Sequence, residues 1–597
     1  MAFKIASVNT IIDRFSKTFL RFPLSILVAA LGTALVIITI DVDGMDVQED
    51  MIRGMLACLI ALPALIAVKT FAEAKGLPGA VLWGLKLLAL ALVAVFYFRF
   101  DHLEGYKYPV VFLLLFLATH LMVAFAPWLG GRREGFWAYN KQLFLQILIA
   151  FIYSSVLFGG LSIAILAVDQ LFNADISEET YLRLFFFIAG MFNTIFFLSG
   201  VPKDYEALSK EESYPKGLKI FTQYVLLPLV FIYLVILYAY MAKIFILAEW
   251  PVGWVAILVL CFSIAGIFSF LLIYPLRHNP EDKWIGVFNR WFYFALIPLT
   301  VLLYVAIFKR LQQYGITEER YFVLLLAIWL TGIIAYFLLS KKDDIRVIPV
   351  SLFLLTMLAV FTAFPVARIS QLNRMELVLE KYGLLQNGKI TLGTQRPTLE
   401  MEKELSSFLD FLDDREDMDR LQPYLSFDLK TLRKDSADNN AYSRERLGAG
   451  VMSELGMTYR YQWNMEPTAE DSLERFSYYG NYLQVFDIEG YNLMRKQYFS
   501  VESSDENDEP SLLFKKKEGF SVNQNGKSIA VDLEGFAKNL AKNRPLDPYK
   551  EAEEIRLDLE NEELVVRLYF EDIRFDINAN GGVENLGGTV WLLVKEK

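Results

Sequence analysis

The sequence predicts a membrane all-α helical bundle of about 11 transmembrane helices, followed by a soluble α+β C-terminal domain. The 597 residues are 55% hydrophobic and 21% charged. This composition is too apolar for an ordinary soluble protein and too charged for a protein that lies wholly within the membrane, so it averages two different regions. Residues 371–597 hold 29 Lys and Arg against 43 Asp and Glu, a net charge of −14, whereas residues 1–370 hold 29 against 25, net +4. The long apolar runs lie in the first part, and each can cross a hydrocarbon core of about 30 Å.

The membrane region is clearest between Tyr108 and Pro202, where a polar patch at 130–141 separates two long apolar helices and part of a third. The patch contains several charged side chains and cannot lie in lipid. The apolar runs at 109–117 and 144–167 flank it, and each belongs to a predicted membrane-crossing helix.

The first apolar run, at 22–40, is predicted to be a retained membrane anchor. It follows Lys4, Arg14, Lys17 and Arg21, as in a signal peptide, but no small-x-small cleavage site follows it. Further spans are predicted at 52–71, 79–98, 108–128, 144–172, 180–201, 217–247, 252–276, 284–308, 320–339 and 345–366. Eleven spans place the two ends of the chain on opposite faces of the membrane.

The charges of the short loops predict the orientation. Loops on the face of the N-terminus hold 18 Lys and Arg, and the opposite loops hold 7. Because cytoplasmic loops are enriched in Lys and Arg, we expect the N-terminus in the cytoplasm and the C-terminal domain outside it. Lys309 and Arg310 lie on the opposite face and weaken this count.

Several stretches of the chain resemble a known family. They are Arg21-Phe22-Pro23, the stretch from His120 to Pro127, the stretch from Phe136 to Phe144, the stretch from Tyr153 to Leu161, Phe192-Asn193-Thr194, and the stretch from Phe196 to Pro202. Together they resemble the uncharacterised bacterial multi-pass membrane family catalogued as domain of unknown function 4153. The resemblance covers most of the chain and continues from Ile369 to Ile390. It implies a bacterial inner-membrane protein and supplies no reaction, ligand or catalytic residue.

The domains predicted are a transmembrane domain at 1–370, a helical juxtamembrane part at 371–457 and an extracytoplasmic α+β domain at 458–597. Apolar residues at helical spacing predict helices ending at Gly383, beginning after Pro397 and spanning Tyr442 to Leu455. Alternating apolar residues predict strands around 555–559 and 573–577. Residues 371–597 suffice for a core of their own, so we expect them to fold as a soluble protein. The acidic run 503–509 is predicted to be a solvated loop.

No catalytic, cofactor or metal site emerges from the motifs. Residues 576–581 match the first half of a calcium loop, but position 12 is Gly587, so a hairpin loop is favoured. His102, His120 and His278 have no zinc-site spacing, and the common phosphate-loop, nucleophile-elbow and metalloprotease motifs are missing from the sequence. We therefore expect no cofactor, and no nucleic-acid partner because the chain has no strongly basic region.

Ionisable and polar residues within the spans are the remaining candidates. Lys86, His120 and Asn193 lie deepest, and a structural hydrogen bond is favoured over a substrate or proton path. His120 is expected to point into the bundle towards a polar partner on another span, for which Asn193 and Lys86 are candidates. Lys69 and Glu73 are expected to form an interfacial ion pair.

Small residues recur at four-residue spacing in several spans. The pairs are Ala30 and Ala34, Ser155 and Gly159, and Gly160 and Ala164. Such spacing lets membrane helices approach closely, and packing within the bundle suffices to explain it.

These features favour a non-enzymatic inner-membrane protein whose partners are the lipid bilayer and envelope proteins that bind residues 371–597. In this hypothesis the C-terminal domain serves sensing or envelope assembly. The alternatives are a permease with a polar path through the bundle and a membrane enzyme acting on a lipid-linked substrate. Leu-Phe-rich spans without an inverted repeat of broken helices count against the permease.

Overall fold

The protein is described by a computed structural model that covers residues 8–42, 44–99, 105–130, 133–210, 214–247, 254–278, 283–340, 342, 344–392, 397–432, 447–460, 474–479, 488, 490–500, 509–515, 519–543, 555–577 and 582–597. The chain forms two compact units. The helical unit comprises Met1–Gly393 and Phe408–Leu429, and the C-terminal unit comprises Thr394–Ser407 and Lys430–Lys597.

The helical unit is built of α-helices, most of them long. In chain order they are α1 (Val8–Arg21), α2 (Pro23–Thr39), α3 (Met45–Lys75), α4 (Gly79–Arg99), α5 (Lys107–Phe125), α6 (Phe136–Phe172), α7 (Glu178–Phe187), α8 (Asn193–Ser199), α9 (Tyr205–Ser209), α10 (Lys216–Phe221), α11 (Leu227–Leu247), α12 (Trp254–Ile273), α13 (Lys283–Tyr314), α14 (Glu318–Leu339) and α15 (Val347–Lys381). π-Helical turns at Ile188–Phe192 and Thr222–Leu226 join α7 to α8 and α10 to α11.

The predicted bundle of about 11 membrane-crossing helices is confirmed. Among the described residues, ten helical segments are long and apolar enough to cross a membrane, and each overlaps one of the ten spans predicted after the first. The bent pair of α1 and α2 raises the total to 11 if it counts as one span. The bend of 99° lies at Phe22, because a residue before proline avoids helical geometry while proline suits the first turn of the next helix.

Helix α2 crosses the same layer as its neighbours, although it has only 17 residues. At its start Arg21 contacts Glu73 near the end of α3, and beyond its end Asp41 contacts Arg183 near the start of α7. The two ends of α2 therefore lie level with the two ends of adjacent spans. We call the end where α2 begins the N-terminal face, and the end where α15 finishes the distal face.

Close packing of α2 against the π-helical turn after α7 depends on Gly190. A Cβ atom at this position would lie 2.0 Å from the Thr33 hydroxyl oxygen. Thr33 is buried and donates its hydroxyl hydrogen to Ala29 of its own helix, so it leaves no unsatisfied polar group there. By contrast, a Cβ at Gly159 or Gly160 of α6 would meet nothing within 4 Å, so these two residues do not mediate close packing among the described residues.

The last span continues beyond the membrane region. Helix α15 passes through Ser370 and ends at Lys381, and Gly383 follows with φ 65°, as expected for the predicted helix end at this residue. A two-stranded hairpin, β1 (Leu385–Gln386) and β2 (Lys389–Ile390), comes next. Helix α16 (Leu399–Asp413) confirms the helix predicted after Pro397, and a 3-10 helix follows at Met418–Tyr424.

The C-terminal unit contains two antiparallel sheets, which confirms the predicted α+β class. Its elements are α17 (Leu447–Glu454), β3 (Glu474–Tyr479), β4 (Leu493–Ser500), β5 (Ser511–Lys515), β6 (Gly519–Gln524), β7 (Lys527–Val531), α18 (Leu533–Asn543), β8 (Arg556–Glu560), β9 (Leu564–Ile577) and β10 (Val583–Glu596). The larger sheet has the order β3-β9-β10-β4, with β8 paired to the other half of β9, and the smaller has the order β5-β6-β7. One apolar core lies among residues 478–594.

A bulge in β9 changes which residues face this core. Phe570 pairs with Val590 and Asp572 pairs with Thr589, which leaves Glu571 without a partner on β10. Core-facing residues therefore change from even numbers up to Phe570 to odd numbers from Ile573.

Some predictions fall on residues that the structure does not describe. Of the helix predicted from Tyr442 to Leu455, the structure describes only residues from 447, where α17 lies. Most of the acidic run 503–509 and residues 578–581 of the calcium-loop match lie outside the described residues. Asp576 belongs to β9 and Gly587 to β10, so antiparallel strands flank that loop, as the hairpin interpretation requires.

Candidate functional site

A group of charged side chains lies at the N-terminal face around Arg21. Its guanidinium donates to both carboxylate oxygens of Glu73, at 3.1 and 2.8 Å, and to the carbonyl oxygens of Val201 and Pro202, at 2.6 and 2.7 Å. The Lys69 ammonium lies 3.2 Å from Glu73, which confirms the predicted ion pair. Arg21 thus ties the start of α2 to the ends of α3 and α8 through charge-assisted hydrogen bonds.

Aromatic side chains form a layer beside Arg21. The rings of Trp128, Tyr139 and Tyr205 lie 6.2 to 6.3 Å apart, centroid to centroid. Tyr139 is fully buried and donates its hydroxyl hydrogen to Val123, while Tyr205 donates to Thr70. Burial raises the pKa of Tyr205 above its ordinary value, so its phenol keeps the proton that it donates.

A cavity of about 320 Å³ opens at the N-terminal face. Its polar lining includes Arg133, Glu134, Ser209, Asp344 and Arg346. Burial alone would raise the pKa of Asp344, but hydrogen bonds from Arg346 and the charges of Arg346 and Arg133 outweigh it and hold this pKa below its ordinary value. The Arg346 guanidinium also donates to the carbonyl of Trp128, in the 3-10 turn Ala126–Trp128 that follows α5, so the ion pair fixes the turn before α15 against this 3-10 turn.

The stretches that resemble the family meet at this face. Arg21-Phe22-Pro23 contacts Val201-Pro202, and the Asn140 amide donates to the carbonyls of Ala124 and Phe136. Stretches far apart in sequence therefore build one local structure. The residues chosen from the sequence, Lys86, His120 and Asn193, did not indicate this cluster. Arg21, a charged residue at the start of the first span, could have indicated it.

Lys86 lies on α4 and is only 6% exposed. Its ammonium lies 4.7 Å from the centroid of the Trp83 ring. Within the described residues it has no hydrogen bond and no ion pair. The structural hydrogen bond that was favoured for Lys86 is therefore not found there.

His120 lies on the outer side of α5 and is exposed. Its Nδ1 atom lies 2.8 Å from the carbonyl oxygen of Phe116, one turn earlier in the same helix, and its ring lies against the Phe116 ring. The expected polar partner on another span is therefore wrong for the described part of the chain. The carbonyl satisfies one ring nitrogen locally, which the sequence argument had not considered.

Asn193 begins α8 and is half-buried directly after the π-helical turn. No hydrogen bond of its side chain is found among the described residues. Lys86, His120 and Asn193 occupy three different helices, and no hydrogen bond, ion pair or ring contact joins any two of them in the described chain.

A second group of charged residues, which we call the distal clamp, lies at the distal face. Its centre is the ion pair of Arg415 and Glu318, with N–O distances of 2.8 and 2.7 Å and side chains 9% and 1% exposed. The Arg415 guanidinium also lies 4.1 Å from the centroid of the Tyr106 ring. Burial, assisted by the charges of Glu319 and Glu318, raises the pKa of Tyr106 to about 12, so this phenol is uncharged at neutral pH.

Asp417 completes the distal clamp. Its carboxylate lies 3.4 Å from the Lys107 ammonium and 3.5 Å from the Arg368 guanidinium. The clamp therefore ties segment 408–429 to the distal ends of α5, α14 and α15. Within the described residues, no group of three or more His, Cys, Asp or Glu side chains could hold a metal ion.

Comparison with known proteins gives one family and one curated relative. Residues 55–387 match the family described as Domain of unknown function (DUF4153). The uncharacterized protein PM1469 of Pasteurella multocida (strain Pm70) is 24% identical over 309 residues, which are 50% of this chain and 51% of the relative. The chain thus spans about half the length of that relative. No solved structure matches the chain. Since the family match covers more than half of its 597 residues, the chain belongs to the DUF4153 family and is an uncharacterised multi-pass membrane protein.

Proposed function

We propose that this protein is a non-enzymatic protein of the bacterial inner membrane that presents its C-terminal unit outside the cytoplasm, for sensing or for assembly with envelope proteins. The observation that supports this proposal most directly is the distal clamp. Segment 408–429 is continuous in sequence with the C-terminal unit at both of its ends, and the buried pair of Arg415 and Glu318 fixes it to the bundle. A ligand or partner that strains this segment would act on three membrane helices.

The distribution of Lys and Arg supports the orientation. The loops of the N-terminal face hold 18 such residues against 7 in the opposite loops. Arg310, one of the two exceptions, lies 5.9 Å from the ring centroid of Tyr314, which the guanidinium groups of Arg320 and Arg374 also approach, at 5.2 and 5.9 Å. The contact with Tyr314 gives Arg310 a structural role at the distal face, and two exceptions do not outweigh a count of 18 against 7.

The alternatives receive less support. A permease requires polar groups that share a path, whereas Lys86, His120 and Asn193 have no contact with one another among the described residues. The cavity at the N-terminal face is lined by the ion pair of Asp344 and Arg346, which has a structural role of its own. An enzyme acting on a lipid-linked substrate would need an assembled group of acids or histidines near one interface.

Reporter fusions test the orientation on which the proposal depends. An alkaline phosphatase fused after Lys597 should be active, and the same reporter fused within 203–219 should be inactive. A fluorescent protein that folds only in the cytoplasm should give the opposite pattern. Fluorescence from the fusion after Lys597 would place the C-terminal unit in the cytoplasm and would contradict the proposal.

Envelope assembly can be tested with a photo-crosslinking residue in place of Tyr498, which is 65% exposed on β4. The control position is Tyr233 of α11, which is exposed within a membrane span. Crosslinks to envelope proteins or added peptidoglycan fragments from Tyr498 alone would support the proposal. Equal yields from both positions would count against it.

A further inference from the structure

Two lysines lie at a similar depth on the two helices of the α3–α4 hairpin. Lys69 lies six residues before the end of α3, and Lys86 lies seven residues after the start of α4. At 1.5 Å per residue, both backbone positions lie about 10 Å inside the N-terminal ends of this hairpin. The tight turn between the helices, with Gly76 at φ 60°, keeps the two positions at a similar depth.

The charges around Lys86 do not balance. Arg21, Lys69 and Lys86 supply three positive charges, and Glu73 supplies one negative charge. Both carboxylate oxygens of Glu73 already bind Arg21, and one of them also binds Lys69. Lys86 is acted on by the repulsive charge of Lys69 as well as by the attraction of Glu73. Among the described residues, Lys86 has a cationic neighbour and no ion pair of its own, so a negative charge supplied by a bound anion would stabilise its ammonium.

The surroundings of Lys86 define the chemical class of that anion. Trp83 is 52% exposed and Leu87 is 61% exposed, so the outer side of α4 next to Lys86 faces lipid. Exposed tryptophan is typical of the headgroup level, and a lysine side chain extends from an apolar helix towards that level. The first turn of α4 has no acidic residue, and the N-terminal end of a helix favours a negative charge.

We propose that Lys86 and Lys69 bind the phosphate of an anionic phospholipid in the leaflet at the N-terminal face. The lipid phosphate supplies the missing negative charge, while its acyl chains lie along the exposed apolar side of α4. Basic pockets between membrane helices are a known mode of headgroup binding. The site does not depend on the proposed role of the C-terminal unit.

Thermal melting of the full-length protein in nanodiscs tests this site. Wild-type protein should melt at a higher temperature in phosphatidylglycerol than in phosphatidylcholine. Lys86→Met should abolish most of this difference, whereas Lys86→Arg should retain it. The matched control is Lys75→Met, which removes an exposed charge from the end of the same hairpin and should retain the difference.

The sign of the effect in phosphatidylcholine separates this site from a purely structural lysine. Without an anionic lipid, Lys86→Met should be at least as stable as wild type, because it removes a nearly buried charge that has no ion pair among the described residues. Equal destabilisation of Lys86→Met in both lipids would overturn the proposal. Native mass spectrometry should show phosphatidylglycerol binding to Lys86→Met weakened about five- to tenfold.

Inorganic phosphate distinguishes a lipid headgroup from a soluble anion. In phosphatidylcholine nanodiscs, 10 mM phosphate should leave the melting temperature of wild type unchanged relative to chloride at equal ionic strength. Stabilisation by phosphate that equals the effect of phosphatidylglycerol and disappears in Lys86→Met would assign the site to a free anion and overturn the assignment to lipid.

Discussion

At the scale of single residues, the pair of Arg415 and Glu318 shows what burial does to charge. Water is almost wholly excluded from both side chains, so each carboxylate oxygen depends on one guanidinium nitrogen for its hydrogen bond. Removing one partner leaves the other as an uncompensated buried charge, which is more damaging than removing both.

We therefore expect Arg415→Met to lower the free energy of unfolding of the full-length protein by about 3–5 kcal/mol. Glu318→Gln combined with Arg415→Met should recover part of this loss, because no charge is then left buried. Melting in detergent measures both effects, and the control Arg420→Met removes an exposed charge from the same segment. Equal melting temperatures of Arg415→Met and Arg420→Met would contradict the buried-pair argument.

Asp344 gives a prediction of how the stability of the protein depends on pH. Its pKa in the folded protein is held below the ordinary 3.8, since Arg346 and Arg133 outweigh the effect of burial. The ionised carboxylate therefore stabilises the fold above pH 3.8, and this contribution is lost as the pH falls through the lower folded-state pKa. Asp344→Asn should be less stable than wild type at pH 7, by about 1.5–3 kcal/mol, and the difference should shrink below pH 4. A difference independent of pH would show that the charge of Asp344 is not responsible.

His120 shows where prediction from sequence ends at this scale. The depth of a polar residue in a span can be counted along the helix, but its direction cannot be predicted when every side of that helix is apolar. Neighbours in space decide whether a carbonyl of the same helix or a side chain of another helix satisfies it. For the same reason, the ion pair of Lys69 and Glu73 was predictable from a spacing of four, whereas that of Arg21 and Glu73 was not.

At the scale of elements, the helices were predictable because their length and apolar content follow directly from the thickness of a membrane. The larger sheet of the C-terminal unit was less predictable from the sequence. A strict alternation predicts one strand face, and the bulge at Glu571 reverses the alternation partway along β9. Strand order depends on contacts between distant segments, which a local pattern does not contain.

Small residues within helices give a prediction with an internal control. Gly190→Ala would place a Cβ against Thr33, whose branched side chain has little room to move, and should cost about 1–3 kcal/mol of stability. Gly159→Ala meets open space and should be neutral or stabilising by up to about 1 kcal/mol. Thr33→Ala combined with Gly190→Ala should restore much of the loss. If Gly190→Ala and Gly159→Ala melt at the same temperature in detergent, α2 does not closely approach the π-helical turn that contains Gly190.

At the scale of the whole molecule, the order of the two parts could be predicted, but the assignment of segments 394–407 and 408–429 to the two compact units could not. The difference in composition between the two parts of the chain predicted a helical bundle followed by an α+β part. The division into compact units, however, places Phe408–Leu429 with the bundle and Thr394–Ser407 with the C-terminal unit. This assignment of segments to the two units depends on ion pairs such as Arg415 with Glu318 and Arg460 with Glu402, whose partners are 97 and 58 residues apart in sequence. The predicted boundary between 457 and 458 stays a prediction.

The exchange of segments also leads to a prediction for isolated fragments. Among the described residues, the apolar core of the two sheets lies within 478–594, so residues 474–597 should fold alone and unfold cooperatively. The longer fragment 371–597 adds Met375, Leu379 and Leu421, which are buried in the helical unit and would become exposed. It would also leave Arg415 without Glu318. We expect it to be less soluble than 474–597, although both contain the same core, and sedimentation and calorimetry measure the difference. A monomeric fragment 371–597 with a higher melting temperature than 474–597 would mean that segment 408–429 can pack without the membrane helices.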